Sequence, residues 1–394
     1  MINNAKQLTG YRRPNGRVGI RNHLLVIPTV GCANVVVESL ARHFSTSIMT
    51  VTHPYGCTFD TVSNEETTDT IAGFAANPNV GAVLLIGLGC ESVSIDRVYN
   101  HVKANGTIVE KLVIQEAGGT VKTTEKAIGI ISSMQEQLAL MEREPIDLSE
   151  LIIGLECGSS DSYSGLSVNP ALGMTSDLIV AGGGTVILTE LTEFIGAEDL
   201  LYQQSASPEI ASKLKHYLDE TERNLSRVDN NGELLDIAPG NIQGGLTTLE
   251  EKSLGCVKKG GTTPVRQIVG HGEIPSEHGL VIMDASGHDV ESLIALAAGG
   301  CQLIFFSTGR GTPTGNPIVP VIKASSNDYI YEHMADNIDI SCGTVISGEE
   351  TIEQAGERLF DLMLDVVNGN ETKSEIHHSV DFAIRRRGVG VCIL

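Results

Sequence analysis

Short apolar runs recur along the chain, and each ends in a loop of small residues. The first, His23-Leu24-Leu25-Val26-Ile27-Pro28, passes through Gly31-Cys32-Ala33-Asn34 into a stretch with apolar residues at Val35, Val36, Leu40 and Ala41. Ser47 to Thr52 ends in His53-Pro54-Tyr55-Gly56-Cys57, Val80 to Leu88 in Gly89-Cys90-Glu91, and Lys111 to Ile114 in Gln115-Glu116-Ala117-Gly118-Gly119. Runs that are apolar throughout predict strands buried on both faces, as in a parallel sheet. The intervening stretches predict helices: about Thr67 to Ala75, stopped by Asn77-Pro78-Asn79, and a long one through Ile128, Ile131, Met134 and Leu138. Residues 10–22 carry the turn signal Pro14-Asn15-Gly16 in a basic patch, which is either a solvated hairpin or a lip that meets an anion.

Glu142-Arg143-Glu144-Pro145 is charged and proline-punctuated, and a domain boundary is placed there, giving 1–145 and 146–394. The second part opens on Leu151 to Leu155, which enters the loop Glu156-Cys157-Gly158-Ser159-Ser160-Asp161, and a helical pattern then runs from Pro170 to Val180. Further strands are expected at Thr185–Leu188, Gly279–Met283 and Gln302–Phe306, with a short extended piece at Val319–Lys323. Residues 207–228 read as an amphipathic helix, and a final helix spans about Glu349 to Val367. Residues 238–255 read as a glycine-rich loop opening a helix, with Thr247 or Thr248 as its cap. The fold class is therefore α/β, in two domains with mainly parallel sheets.

A length of 394 residues allows two or three domains, and 41% hydrophobic content supports real cores, which must be aliphatic because Trp is absent. The net charge of −22 argues against nucleic acid and anionic membrane as partners. No apolar run is long enough to span a bilayer and no signal-peptide core begins the chain, so a cytoplasmic location is expected. The eight cysteines are scattered, which favours reduced thiols over a disulfide framework.

Cys57, Cys90 and Cys157 each end a predicted strand beside a glycine. Three converging thiolates with an open fourth position suit iron, either in a site-differentiated iron–sulfur cluster or as a mononuclear ion with His or carboxylate ligands, where it acts as a Lewis acid. Cys256, Cys301 and Cys392 read instead as small buried hydrophobes, with Cys32 and Cys342 between the two cases. His53 is a candidate ligand or general acid–base group. Glu156, Asp161, Glu190 and Glu251 offer carboxylates. The fork of Arg310, in a Gly/Thr/Pro-rich loop, matches a substrate carboxylate. Lys252 and Lys323 could take that anion role, or abstract a proton if desolvated. The glycine-rich loop lacks Walker A spacing, and Gly31-Cys32-Ala33-Asn34 is no dinucleotide fingerprint, so neither nucleotide class is favoured.

Taken together, several stretches resemble the altronate and galactarate dehydratases. They are Gly19-Ile20-Arg21-Asn22, Tyr55-Gly56-Cys57, Gly87-Leu88-Gly89-Cys90-Glu91, Glu156-Cys157-Gly158 with Ser160-Asp161, Asn169-Pro170, Pro239-Gly240-Asn241, Gly244-Gly245-Leu246-Thr247-Thr248, Glu251-Lys252-Ser253-Leu254-Gly255 and Ser307-Thr308-Gly309-Arg310-Gly311-Thr312. The resemblance extends from Gly10 to about residue 390. It implies a lyase that removes water from an aldonic or aldaric acid and needs ferrous iron or another divalent metal. It also implies a dimerising first domain and a Rossmann-like C-terminal domain that carries the metal. From the residues and these motifs together, His53, Glu156, Asp161 and Lys252 are the catalytic candidates. Arg21, Asn22, Asn169, Thr248, Arg310, Thr312 and Lys323 are the substrate-binding ones.

Three departures from the family pattern stand out. The chain begins where the family's small β-rich N-terminal domain would have ended, so it resembles the large subunit of a split enzyme with a small β-rich partner. Gly158-Ser159-Ser160-Asp161-Ser162 replaces a Gly-Gly-Ser-Asp-Gly motif, and Ile242 follows Asn241 where a lysine is usual. Split relatives that resemble it include the β subunit of sulfolactate sulfo-lyase, which expels sulfite from a 2-hydroxy acid, so sulfolactate is the alternative substrate.

Overall fold

The computed structural model describes residues 7–58, 60–226 and 237–385. Cys392 and the ends of the expected 207–228 helix and of the family-like region lie outside them. The strands are β1 (Leu8–Arg12), β2 (Val18–Gly19), β3 (His23–Pro28), β4 (Met49–Thr50), β5 (Val80–Gly87), β6 (Ile108–Val113), β7 (Glu144–Ile146), β8 (Ile152–Cys157), β9 (Thr185–Leu188), β10 (Val265–Val269), β11 (Gly279–Met283), β12 (Leu303–Thr308), β13 (Val321–Ser325) and β14 (Ile340–Ser341).

They form a parallel four-stranded sheet, β4-β3-β5-β6, and a parallel seven-stranded sheet, β10-β11-β9-β8-β12-β13-β14. A small antiparallel sheet, β2-β1-β7, completes the set. All eight residues of β5 are buried, as its unbroken apolar run requires. The basic patch is a hairpin, with Tyr11 opposite Gly19 and the Gly16 amide donating to the Arg13 carbonyl at 2.9 Å.

In the larger sheet, β8 is flanked by β9 on one side and β12 on the other. The chain moves outward from β8 to β9 and the edge strand β10, steps back to β11 between them, then crosses to β12 on the other side of β8. Open α/β sheets form their ligand crevice at the carboxyl ends of the strands, where the winding reverses. Here that point is the end of β8, at Cys157. Residues alternate across β8: Ile153, Leu155 and Cys157 join the core under the helices Val168–Ala181 and Ile352–Val367, whereas Gly154 and Glu156 face the helix Asp289–Ala298.

That last helix packs on Thr61–Ala75, so the two sheet units share one hydrophobic core containing Leu25, Phe74 and Leu85 from one and Leu296, Ile304 and Phe306 from the other. Buried asparagines fasten the same seam. Asn77 donates to the Ala297 and Cys301 carbonyls at 2.7 and 2.9 Å, and Asn79 donates to Gln302 and Ile318 at 2.9 and 3.0 Å.

Several elements differ from their sequence expectation. The helix expected from Thr67 begins at Thr61, because Asp60 caps the Val62 and Ser63 amides. Ile114–Ala117 is a helical turn where a loop was expected, and β4 is only two residues long. Pro239–Gln243 is a short helix ahead of Leu249–Cys256, whose cap is Thr248. Strand β10 was not anticipated, because its core is interrupted by Arg266 and Gln267 at an edge position.

Candidate functional site

At the end of β8 the Cys157 thiol meets two further elements. The turn Leu191–Phe194, after β9, carries Glu193, and the helix Leu249–Cys256 carries Lys252 and Cys256 four residues apart, on one face. The Cys157 and Cys256 thiols both donate to Glu193 Oε2 at 2.9 Å, and the two sulfurs lie 3.6 Å apart. Glu193 Oε1 is ion-paired with Lys252. Glu190 Oε2 accepts from the Cys157 amide at 3.1 Å and from Lys259 Nζ at 3.2 Å.

Glu190 holds a left-handed backbone, φ 69°, which costs a side-chain-bearing residue roughly 1–2 kcal/mol. Backbone outliers of this kind cluster at functional sites. Among the described residues, Cys157, Glu190, Glu193 and Cys256 form a buried group whose ligand atoms all lie within 4.8 Å of one another.

The charges nearly balance. Burial and the neighbouring Glu193 push Glu190 up to about 7, against the pull of Lys259. Burial acts the same way on Glu193, but Lys252, Lys259 and the two thiols outweigh it and hold Glu193 down to about 2. Lys252 and Lys259 are both raised despite burial, because anions and sulfurs surround them. The Cys157 thiol is raised by its bond to Cys256 and by burial, and burial raises Cys256. Near neutral pH the protein alone therefore presents two neutral thiols, an ionised Glu193, a Glu190 divided between its two forms, and two ammonium groups. Two sulfur and two carboxylate donors suit a borderline divalent ion such as ferrous iron or zinc.

The expected site residues separate into distinct places. Cys157 is central, but Cys57 and Cys90 are exposed on the other sheet unit, and neither belongs to the group around Cys157. The convergence of those three sulfurs is thus replaced by Cys157 with Cys256. His53 is buried with both ring nitrogens engaged, Nδ1 accepting from the Tyr55 amide at 3.2 Å and Nε2 donating to the Pro28 carbonyl at 2.7 Å. Burial lowers its pKa to about 4, and with both nitrogens bound inside the protein it offers no free atom to a metal or a substrate.

Arg21 and Asn22 precede β3, at the amino edge of its sheet. Arg21 grips Glu375 through two nitrogens at 2.7 and 3.0 Å, and Asn22 bonds Arg13 and the Leu138 carbonyl, so neither faces a substrate at the carboxyl edge. Asp161 accepts from Ser164, Ser326 and Asn327 and clamps the loops after β8 and β13 together, which leaves it no role as a free base.

Asn169 is a strut between the Gly255 carbonyl and Ser307. Thr248 caps its helix through the Glu251 amide, and Thr312 bonds Thr314. Lys323 is fully buried against the carbonyls of Pro313 and Thr314, and burial lowers it to about 8. Arg310 is exposed at the end of β12, and the one hydrogen bond of its side chain among the described residues runs from Nη1 to the Gly240 carbonyl at 2.8 Å. Glu156 is fully buried, and burial, Glu190 and Asp289 push its carboxyl well up. Its Oε2 accepts from Thr189, at 3.1 Å, and from Ser292, and the raised carboxyl also hydrogen-bonds that of Glu190. Lys252 is an ion-pair cation and not a proton-abstracting base.

Sequence reading missed Glu193, Cys256 and Lys259 as site residues. Two spacings point to the first two, Glu190 to Glu193 and Lys252 to Cys256, each fit for one face of a helical turn; none points to Lys259.

The family description for the C-terminal domain of D-galactarate/altronate dehydratase matches residues 148–390, and that for the second domain of D-galactarate dehydratase/altronate hydrolase matches residues 10–139. The chain belongs to the galactarate/altronate dehydratase family. Among its relatives in that family, altronate dehydratase of Bacillus subtilis is 34% identical, across 98% of this chain and 79% of the relative. Altronate dehydratase of Escherichia coli is 35% identical, across 96% and 77%. The (2R)-sulfolactate sulfo-lyase subunit beta of Chromohalobacter salexigens is 33% identical, across 97% and 98%. Both sheet units thus fall within dehydratase-family domains, and the Cys157 group lies in the C-terminal one.

Proposed function

We propose that the protein is a metal-dependent lyase that eliminates water from a sugar acid such as altronate or galactarate, at the carboxyl ends of β8, β9 and β12. The observation that carries this reading is the buried group of two thiols and two carboxylates at the winding reversal of the larger sheet. Cys157, Cys256, Glu190 and Glu193 would hold the metal; two sulfur donors fit ferrous iron or zinc alike, and we assign iron because the dehydratase resemblance implies it. When bound, it supplies Lewis acidity toward a substrate oxygen.

The elimination removes the proton α to the carboxylate and the β-hydroxyl, together one water, leaving an enol that ketonises; the α-proton replaces the one that the acid gives to the leaving hydroxyl. Arg310 clamps the substrate carboxylate through the guanidinium nitrogens not committed to Gly240, which withdraws charge from the α-carbon. Glu156 holds a proton on Oε1, because its other oxygen already accepts two hydroxyls, and it delivers that proton toward the leaving group. Lys252 stays a cation that holds Glu193 in place.

A second reading is sulfolactate elimination to sulfite and pyruvate, since identity to the sulfo-lyase subunit is within two points of that to the altronate dehydratases. In either case the protein works in the cytoplasm as a homodimer, with a small β-rich partner subunit. Among the described residues, no helix is long and apolar enough to cross a membrane.

The test is anaerobic purification with ferrous iron, with and without a co-expressed small subunit. Altronate and galactarate are assayed by formation of the keto acid, and sulfolactate by release of sulfite. Turnover of one of the three supports the lyase reading and names its branch. Iron-loaded protein that consumes none of them with the partner present sinks it.

A further inference from the structure

The four-stranded sheet carries a second set of thiols that the site above does not use. Of the described cysteines, Cys157, Cys256, Cys301 and Cys342 are buried, whereas Cys32, Cys57 and Cys90 are exposed. Free cysteine is among the most buried residue types, so three exposed thiols in one chain call for a reason. All three sit at the carboxyl edge of the same sheet: Cys32 in the turn after β3, Cys57 on the loop after β4 and Cys90 directly after β5. Those strands are adjacent, in the order β4-β3-β5.

The loops themselves are fastened to one another. The Gly31 amide donates to the Tyr55 carbonyl at 2.8 Å, and the Ser92 amide to the Gly56 carbonyl at 2.9 Å. Ser92 Oγ donates to the Thr58 carbonyl at 3.0 Å. The Glu91 carboxylate gathers the Gly89 amide at 2.6 Å and the Thr29 hydroxyl at 2.8 Å, which ties the Cys90 turn to the end of β3. Gly56, at φ 103°, lies so close to β3 that a Cβ there would come within 2.2 Å of the Thr29 carbonyl oxygen. Each cysteine is therefore one or two residues from a bond that joins its loop to a neighbour.

We propose that Cys32, Cys57 and Cys90 hold an iron–sulfur cluster with one iron left without a protein ligand. A single tetrahedral ion with bonds of about 2.3 Å would draw its sulfurs to within roughly 3.8 Å of one another. These three thiols do not form a donor group within 4.8 Å, whereas those around Cys157 do. A polynuclear cluster takes one thiolate at each of three irons and spaces the sulfurs more widely, as thiols on the loops of three adjacent strands would be. The three-thiolate set leaves a vertex open to a water or a small oxygen ligand. This centre is separate from the Cys157 group and stands independently of the lyase reading.

The test is anaerobic reconstitution with sulfide and equal amounts of ferrous and ferric iron, a mixture that balances to an oxidised four-iron cluster without a further oxidant. Iron, acid-labile sulfide and visible charge-transfer absorption are measured on the wild type and on the Cys32→Ser, Cys57→Ser, Cys90→Ser and Cys256→Ser variants. The wild type takes up about four sulfides per chain. Each of the first three variants loses at least half of that sulfide while keeping its circular dichroism and its thermal midpoint, because the replaced thiols are exposed. The Cys256→Ser variant keeps its sulfide. Iron uptake without sulfide in the wild type, full sulfide in any of the first three variants, or sulfide lost from the Cys256→Ser variant overturns the proposal. None of these outcomes bears on turnover of altronate, galactarate or sulfolactate, which tests the other site.

Discussion

Lys259→Met removes one of the two cations that balance the Cys157 group, keeping length and apolar volume. Lys259 is fully buried, and its ammonium lies 3.2 Å from Glu190 Oε2. With that cation in place, burial and Glu193 already hold Glu190 up at about 7, against an ordinary 4.5. The ionised form of Glu190 thus carries a penalty of roughly 3 kcal/mol in the folded state. A carboxyl raised on folding binds more protons folded than unfolded, so its contribution to stability falls as pH climbs from about 4.5 to about 7 and is flat above. Without Lys259 the folded value moves higher still, and the fall continues into the alkaline range.

Near pH 5 Glu190 is neutral in both proteins, and the variant loses little. Well above pH 8 the variant must either keep the proton or bury an unpaired charge, and the loss approaches the ~3–5 kcal/mol of a broken buried pair. That is a large part of a typical ~5–15 kcal/mol total. Urea unfolding of both proteins with chelator present, at acid and alkaline pH, reads the difference directly. Chelation matters because a bound divalent ion would supply the missing charge. A stability loss of the same size at both pH values would refute the electrostatic account of the cluster.

Three further outcomes are expected. Cys256→Ser weakens divalent-metal binding by more than about 100-fold, since loss of outer partners alone costs 10–100-fold, and competition with a chromophoric chelator measures it. Arg310→Lys keeps the charge but loses the fork, so KM rises about tenfold with kcat little changed. This corresponds to ~1.4 kcal/mol of uniform binding, and an unchanged KM would remove Arg310 from the carboxylate site. Asn79→Ala strips partners from the Ile20 amide and from the Gln302 and Ile318 carbonyls and destabilises the protein by roughly 3 kcal/mol, without altering KM, as thermal unfolding and kinetics together would report.

Much of the fold could be read in the sequence because its signal is local. The apolar runs at β3, β5, β8, β11 and β12 are each long enough to exclude water from both faces, and nothing but a covered parallel sheet accommodates that. Strand β10 escaped because it lies at the edge, where half of its residues need not be apolar and where Arg266 is exposed. The seam between the two units was also hidden. Asn77 and Asn79 read as a helix stop, and they do follow a helix, but their buried amides serve carbonyls more than 200 residues away.

The site was legible only as far as strand ends reveal it. Cys157 and Glu156 were found because a thiol and a carboxylate at the end of an apolar run stand out against their neighbours. Glu193 and Cys256 were not, because they lie 36 and 99 residues from Cys157 and join it through side chains, not through strand pairing. On paper the helix Leu249–Cys256 is an ordinary charged segment with a cysteine at its end. What reveals its role is burial: Lys252 and Cys256 turn inward together and meet a carboxylate that is itself buried. An ammonium group survives there only if anions are supplied, and the carboxylates survive only if the ammonium groups stay. The group is therefore interdependent in a way that no single residue's spacing discloses. The same reasoning removes His53, Arg21 and Asn22 from the site, since each already satisfies its polar atoms within the protein and has nothing left to offer a substrate.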